Sequence, residues 1–127
     1  MLQAFSLVAE PALRCSDNGP DCCRAVRASR YAVIGVAAVI TVTSGRCTSA
    51  AVAVGGLTPH AVRAPSVEKA LVDQVLSAET IAKAAAQVHA DLGDEILGDV
   101  FASAGYRAAV APVWVKRAIT AAADRAK

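Results

Sequence analysis

The residues able to do chemistry are few and scattered. His60 and His89 are the histidines, and neither has a Cys, Asp or Glu at metal-ligand spacing. No nucleophile–base pair can be assembled from them, so no catalytic residue and no metal ligand is assigned; each reads as a structural or solvated imidazole. Cys15, Cys22 and Cys23 crowd the start of the chain, with Cys47 apart. Their spacing is neither the paired C-x2-C of zinc sites nor a plant-type iron–sulfur pattern, and they read as reduced thiols. Asp91, Asp94, Glu95 and Asp99 form a loose acidic group without the alternating ligands of a calcium loop, and a solvated loop is expected there. Gly55-Gly56 lacks the Lys-Ser/Thr of a phosphate-binding loop and reads as a turn needing a positive φ. Tyr31, just after Ser29-Arg30, opens a long apolar segment. Its ring can stack on a flat heterocycle and its hydroxyl can take a hydrogen bond; the plainer reading is a tyrosine at the edge of a core.

The elements that hold these residues follow from periodicity. Residues 30–43 read as a strand: Val33, Ile34, Val36, Val39, Ile40, Thr41, Val42 and Thr43 are β-branched. Val33, Ala37 and Val39 are assigned to one face, and Ile34, Val36, Ala38 and Ile40 to the other. A strand apolar on both faces expects cover on both sides, one from its own helices and one from another domain or subunit. A turn at 43–46 leads to a second strand, about 47–55, with Val52 and Val54 on one face and small Ala51, Ala53 and Gly55 on the other. A short third strand is read over 60–63. Pro65 suits a helix start, with Val67, Ala70 and Leu71 in helical spacing. Ser77 caps a further helix with the stripe Ile81, Ala84, Ala85, Val88 and Leu92, stopped at Gly93. Ser103 caps the last helix, where Tyr106, Val110, Val113, Trp114 and Ala118 are expected to face the core, and where Pro112 removes one backbone hydrogen bond. The expected class is α+β: a small antiparallel sheet of about three strands followed by about three helices packed on one face. Residues 1–27, with Pro11 and Asn18-Gly19-Pro20, read as an irregular or partly helical segment outside this domain, which spans 28–127.

Composition narrows the function classes. The chain has 127 residues, 55% of them hydrophobic but only 4% aromatic, so Ala and Val must build the core. A net charge of +2 without a basic run argues against nucleic acid. The uncharged run from Tyr31 to Gly45 is too short to span a bilayer, which needs about 20 residues, and the first residues lack a basic signal-peptide start. A soluble cytoplasmic protein is expected.

Three segments carry a family resemblance. They are Ser29-Arg30-Tyr31-Ala32-Val33-Ile34-Gly35-Val36, then Leu57-Thr58-Pro59-His60-Ala61-Val62-Arg63-Ala64, then Ala102-Ser103-Ala104-Gly105-Tyr106-Arg107 followed by Val115-Lys116-Arg117-Ala118. In this order and spacing the chain resembles the C-terminal domain of the FAD-binding (medium) subunit of molybdenum hydroxylases of the carbon monoxide dehydrogenase and xanthine dehydrogenase type. The resemblance implies a part in an oxidoreductase in which electrons pass from molybdenum through iron–sulfur clusters to FAD. The implied partners are a large molybdenum subunit, a small [2Fe-2S] subunit and the FAD-binding domains, which residues 1–27 are too short to contain. It also implies that this domain helps close the FAD site and docks neighbouring subunits, with Tyr31 and the weaker companion Arg30 beside the flavin. FAD is then expected only in a complete subunit, and the isolated chain should bind it weakly or not at all and show no turnover. The competing reading is a non-catalytic assembly domain, a truncated remnant that binds no cofactor. The substrate would be chosen in the large subunit.

Overall fold

The computed structural model describes residues 2–11, 32–100 and 102–126. The architecture is the α+β arrangement expected, with strands β2 (Ala32–Thr43), β3 (Arg46–Gly55) and β4 (Val62–Arg63) running antiparallel and followed by helices. One further strand, β1 (Leu2–Pro11), joins the sheet, whose order is β1-β2-β3-β4. This corrects the irregular or partly helical reading for residues 2–11. Pairing rather than local pattern makes the strand: its register runs antiparallel along β2 from Leu2 opposite Val42 to Pro11 opposite Ala32. Pro11, which has no N–H to donate, falls at the end of this edge strand beside a register shift.

The β2–β3 hairpin turns at Ser44 and Gly45, both with positive φ (52° and 77°). That is the backbone demanded by the tight turns whose twist matches the flanking strands. One bulge matters for the core. Thr41 pairs with Ser49 but Val42 pairs with Cys47, so Thr48 is an extra residue in β3. The bulge reverses the parity of the strand, and Cys47 rather than Thr48 is buried.

The described helices are α1 (Pro65–Leu71), α2 (Ala78–Ala86), α3 (Val88–Leu92) and α4 (Ala104–Arg125). Ser77 Oγ accepts from Thr80 N at 3.2 Å, and Ser103 Oγ accepts from Tyr106 N at 3.2 Å, so both expected caps are made. The stripe Ile81, Ala84, Ala85, Val88 and Leu92 is buried as expected, although the helix breaks at Gln87 into two pieces. Gly93, at φ 65°, ends α3. Helix α4 continues through Pro112 and packs across β1 and β2, while α1 packs on β3. All this cover falls on one side of the sheet. Ile34, Val36, Ala38 and Ile40 of β2 join Ala50, Val52 and Val54 of β3 in one core with Val67, Leu71, Ile81, Val88, Val115 and Ile119.

The inward face of α4 differs from expectation. Its buried residues are Arg107, Ala111, Val115, Ala118, Ile119, Ala122 and Ala123. Trp114 and Val110 pack only partly against the core, and Tyr106 and Val113 are each 47% exposed. Apart from Arg107, the inward side chains are Ala, Val and Ile, which let the helix axis approach the sheet closely, and no aromatic is among them. The aromatic ones are left at the helix flank, where the Arg117 guanidinium lies 4.6 Å from the centroid of the Trp114 ring.

Candidate functional site

Two features outside the hydrophobic core bear on function: the end of the sheet where β2 begins and β3 ends, and the face of the sheet opposite the helices.

At the sheet end, β2 runs beyond its β3 partner. Gly35 pairs with Gly55, the last residue of β3, so the Val33 carbonyl has no β3 neighbour. Arg107, from the second turn of α4, takes that place. Its Nη1 donates to the Val33 carbonyl at 3.2 Å and also to the Gly56 carbonyl. Nε donates to the Ala102 carbonyl at 3.3 Å, and Nη2 pairs with the Asp99 carboxylate. Asp99 is itself fixed, because its Oδ1 accepts from Ala102 N at 2.9 Å. A buried guanidinium is stable only when its fork of donors is satisfied, and here strand, turn and loop acceptors satisfy it. The segments so joined are the ones singled out in the sequence: the β2 opening, the turn before Leu57 and the Ala102–Arg107 stretch. Leu97, whose N–H donates to the Leu57 carbonyl at 2.8 Å, belongs to the same loop as Asp99. Leu97, Val100 and Tyr106 leave large apolar side chains exposed along this loop and the first turn of α4.

The sheet's other face is lined by Gly35, Ala37 and Val39 of β2 and by Ala51, Ala53 and Gly55 of β3, all half-exposed. The described helices pack on the opposite face, and near Gly55 an added Cβ would meet the Ala61 Cβ at 3.8 Å. A Cβ added at Gly35 would meet no atom within 4 Å. At these positions the strand's second face is only half-buried and lies away from the chain's own helices. Val33, expected on the same face, is buried at the end of the sheet.

Arg30 and Tyr31, assigned to the flavin edge, lie outside the described residues, immediately before Ala32. Cys15, Cys22 and Cys23 also lie outside them. His60 and His89 are exposed. Of the acidic group, only Asp94 and Glu95 fit a solvated loop. Asp91 accepts from Ser66 N at 3.0 Å and from Ser66 Oγ at 2.8 Å, closing the start of α1 in place of a local cap. Asp99 belongs to the Arg107 cluster. Glu68 accepts from Val52 N at 2.8 Å beyond the end of β4 and holds Arg63 through both oxygens at 3.0 Å. Burial pushes the Cys47 thiol above its ordinary pKa, with a backbone hydrogen bond at Ser49 opposing the rise and the Asp73 charge adding to it. Among the described residues no group of three His, Cys, Asp or Glu could hold a metal ion, and no helix is long and apolar enough to cross a membrane. Arg107 was quoted in the sequence motif but given no role. Its signal was present, because Arg107, Ala111, Val115, Ala118 and Ala122 follow helical spacing.

The sequence model of the CO dehydrogenase flavoprotein C-terminal domain matches residues 24–122. The chain belongs to that family. The alpha subunit of the 6-hydroxypseudooxynicotine dehydrogenase complex of Paenarthrobacter nicotinovorans is 36% identical over 99 residues, which is 76% of this chain and 32% of the relative. Among solved structures, carbon monoxide dehydrogenase from Hydrogenophaga pseudoflava superposes with TM-score 0.77 at 25% identity, over 98% of this chain and 38% of that one. Quinoline 2-oxidoreductase from Pseudomonas putida 86 superposes at TM-score 0.78 and 24% identity, with 98% and 38% covered, and shares the fold. This chain spans roughly a third of the length of such relatives.

Proposed function

We propose that this chain serves as the C-terminal domain of the flavoprotein component of a molybdenum-hydroxylase-type oxidoreductase, where it forms one wall of the FAD site and docks the FAD-binding part of the flavoprotein. The observation that carries this reading is the asymmetry of the sheet: one face is packed under the chain's own helices, and the other, small-residued along Gly35–Val39 and Ala51–Gly55, is only half-buried. Family membership and a length near one third of the relatives supply the occupant: the remaining two thirds of such a flavoprotein. A face of Ala and Gly lets another backbone approach closely.

The described residues do not form a flavin site alone. The carbonyls at the sheet end, Val33 and Gly56, are already engaged by Arg107, and no glycine-rich loop opens a helix to hold a pyrophosphate. Depressions of about 420 and 530 Å³ lie on the helices, along α4 and between α1 and α2, away from this end. The chain's contribution is therefore an edge: Tyr31 to lie against the ring system and Arg30 beside it, while the pyrophosphate is gripped elsewhere. Bound FAD would supply the redox chemistry, taking electrons that large molybdenum and small [2Fe-2S] partners deliver. This chain's residues orient the flavin and exclude water from one side of it.

Affinity purification of the tagged chain from the cells that make it is the test. Co-purifying polypeptides with flavin and iron–sulfur absorbance are expected, whereas the chain alone, titrated with FAD by fluorescence, should not bind at micromolar concentration. A self-associated chain with no flavin would replace this reading with that of an assembly domain.

A further inference from the structure

We propose that Arg107 is a positioning residue for the flavin-facing edge. By bonding the Val33 carbonyl, the Gly56 carbonyl and the Asp99–Ala102 turn at once, it makes the opening of β2, the turn after β3 and the loop before α4 a single rigid lip. The flavin part of this inference rests on the function proposed above; the rigid lip itself does not.

Three observations point to positioning rather than ordinary core stabilisation. The guanidinium is buried, with Arg107 only 6% exposed, in a stripe otherwise made of Ala, Val and Ile, where an apolar residue would pack at no electrostatic cost. Its acceptors come from segments far apart in the chain, with Val33 lying 74 positions away. They also sit where the β3 side of the ladder gives out, just beyond the Gly35–Gly55 pair, so on that side Arg107 takes the place of a strand neighbour, while β1 continues to pair along the other edge as far as Ala32. The next residue but one upstream of Val33 is Tyr31. A lysine cannot replace the arrangement, because a single ammonium does not present the planar fork that spans these acceptors.

The test compares Arg107→Met and Arg107→Lys with the wild type, and adds Asp99→Asn, which removes the charge partner without opening a hole and stands in if Arg107→Met fails to fold. In the full chain, amide hydrogen exchange followed by mass spectrometry should rise about tenfold or more in peptides covering 33–36 and 56–59, with 47–54 and 81–92 unchanged and Arg107→Lys intermediate. A rise spread evenly over all peptides, or none at the lip, overturns the latch. In the purified complex, the flavin of the Arg107→Met protein should be more open to iodide quenching while subunit content stays the same. A wild-type complex without flavin sinks the functional reading itself. A flavin equally shielded in wild type and variant, with a loosened lip, sinks only the positioning role.

Discussion

The two faces of this sheet are built from the same strands and do opposite things. On the helix side, Ile34, Val36, Ile40, Val52 and Val54 are fully buried or nearly so. On the other side, Gly35, Ala37, Ala51, Ala53 and Gly55 are only half-covered, with Val39 the one larger side chain among them. A face that carries stability needs bulk, because each buried methylene contributes about 0.8 kcal/mol. A face that receives another surface needs flatness and close approach, which Ala and Gly allow. The alternation of the pleat lets one strand meet both demands in successive residues.

The difference can be broken at its strongest point first. Ile34→Ala should cost about 2–5 kcal/mol, read as a lower urea midpoint, because the pocket it leaves lies among α4, β2 and β3. Val39→Ala, on the open face, should cost about 1 kcal/mol or less. Equal losses at the two positions would mean that the second face is packed as tightly as the first.

A charge sharpens the same contrast from the other direction. Ala37→Lys should move the urea midpoint by no more than about 1 kcal/mol, since its side chain points away from the helices, yet it should strip partners from the chain in the purification described above. Retained partners would remove this face from the interface. Within the helical layer, Ser103→Ala should cost about 1 kcal/mol through loss of the bond to Tyr106 N, with the open face and its partners unaffected.

The smallest effect reads the packed side through its thiol. Cys47 has a raised pKa because it is buried, so the folded chain keeps this proton at pH values where the unfolded chain has lost it. Its contribution is whole below the ordinary thiol range, and stability should fall as pH climbs through and above that range. The Cys47→Ala variant should lack this alkaline slope. Alkylation followed by peptide mapping should find Cys47 modified only once the chain unfolds.

Much of the domain is legible locally. β-Branched runs locate β2 and β3, and residues with a single strong conformational preference locate ends: Ser44-Gly45 at the hairpin, Pro65, Ser77 and Ser103 at helix starts, Gly93 at a helix stop. The inward face of α4 is not legible in the sequence because Ala carries almost no directional information. In a helix so rich in Ala, the few large residues attract the assignment, while the sheet selects the small ones for contact. Arg107 argued against itself, since a charge is normally placed outward until its acceptors are known. The acidic loop misled in the same way: nothing near Asp91 or Asp99 in sequence announces Ser66 or Arg107 as partners.

By itself, the sequence determined the family, the α+β class, the strand and helix termini and the two-sided apolar character of β2, because each depends on residue types within a few positions of one another. Only the tertiary structure decided that residues 2–11 complete the sheet, which face the helices take, and that a guanidinium closes the end of the ladder. Those outcomes rest on contacts between segments tens of residues apart, where the free energy comes from pairing and burial that no single segment contains.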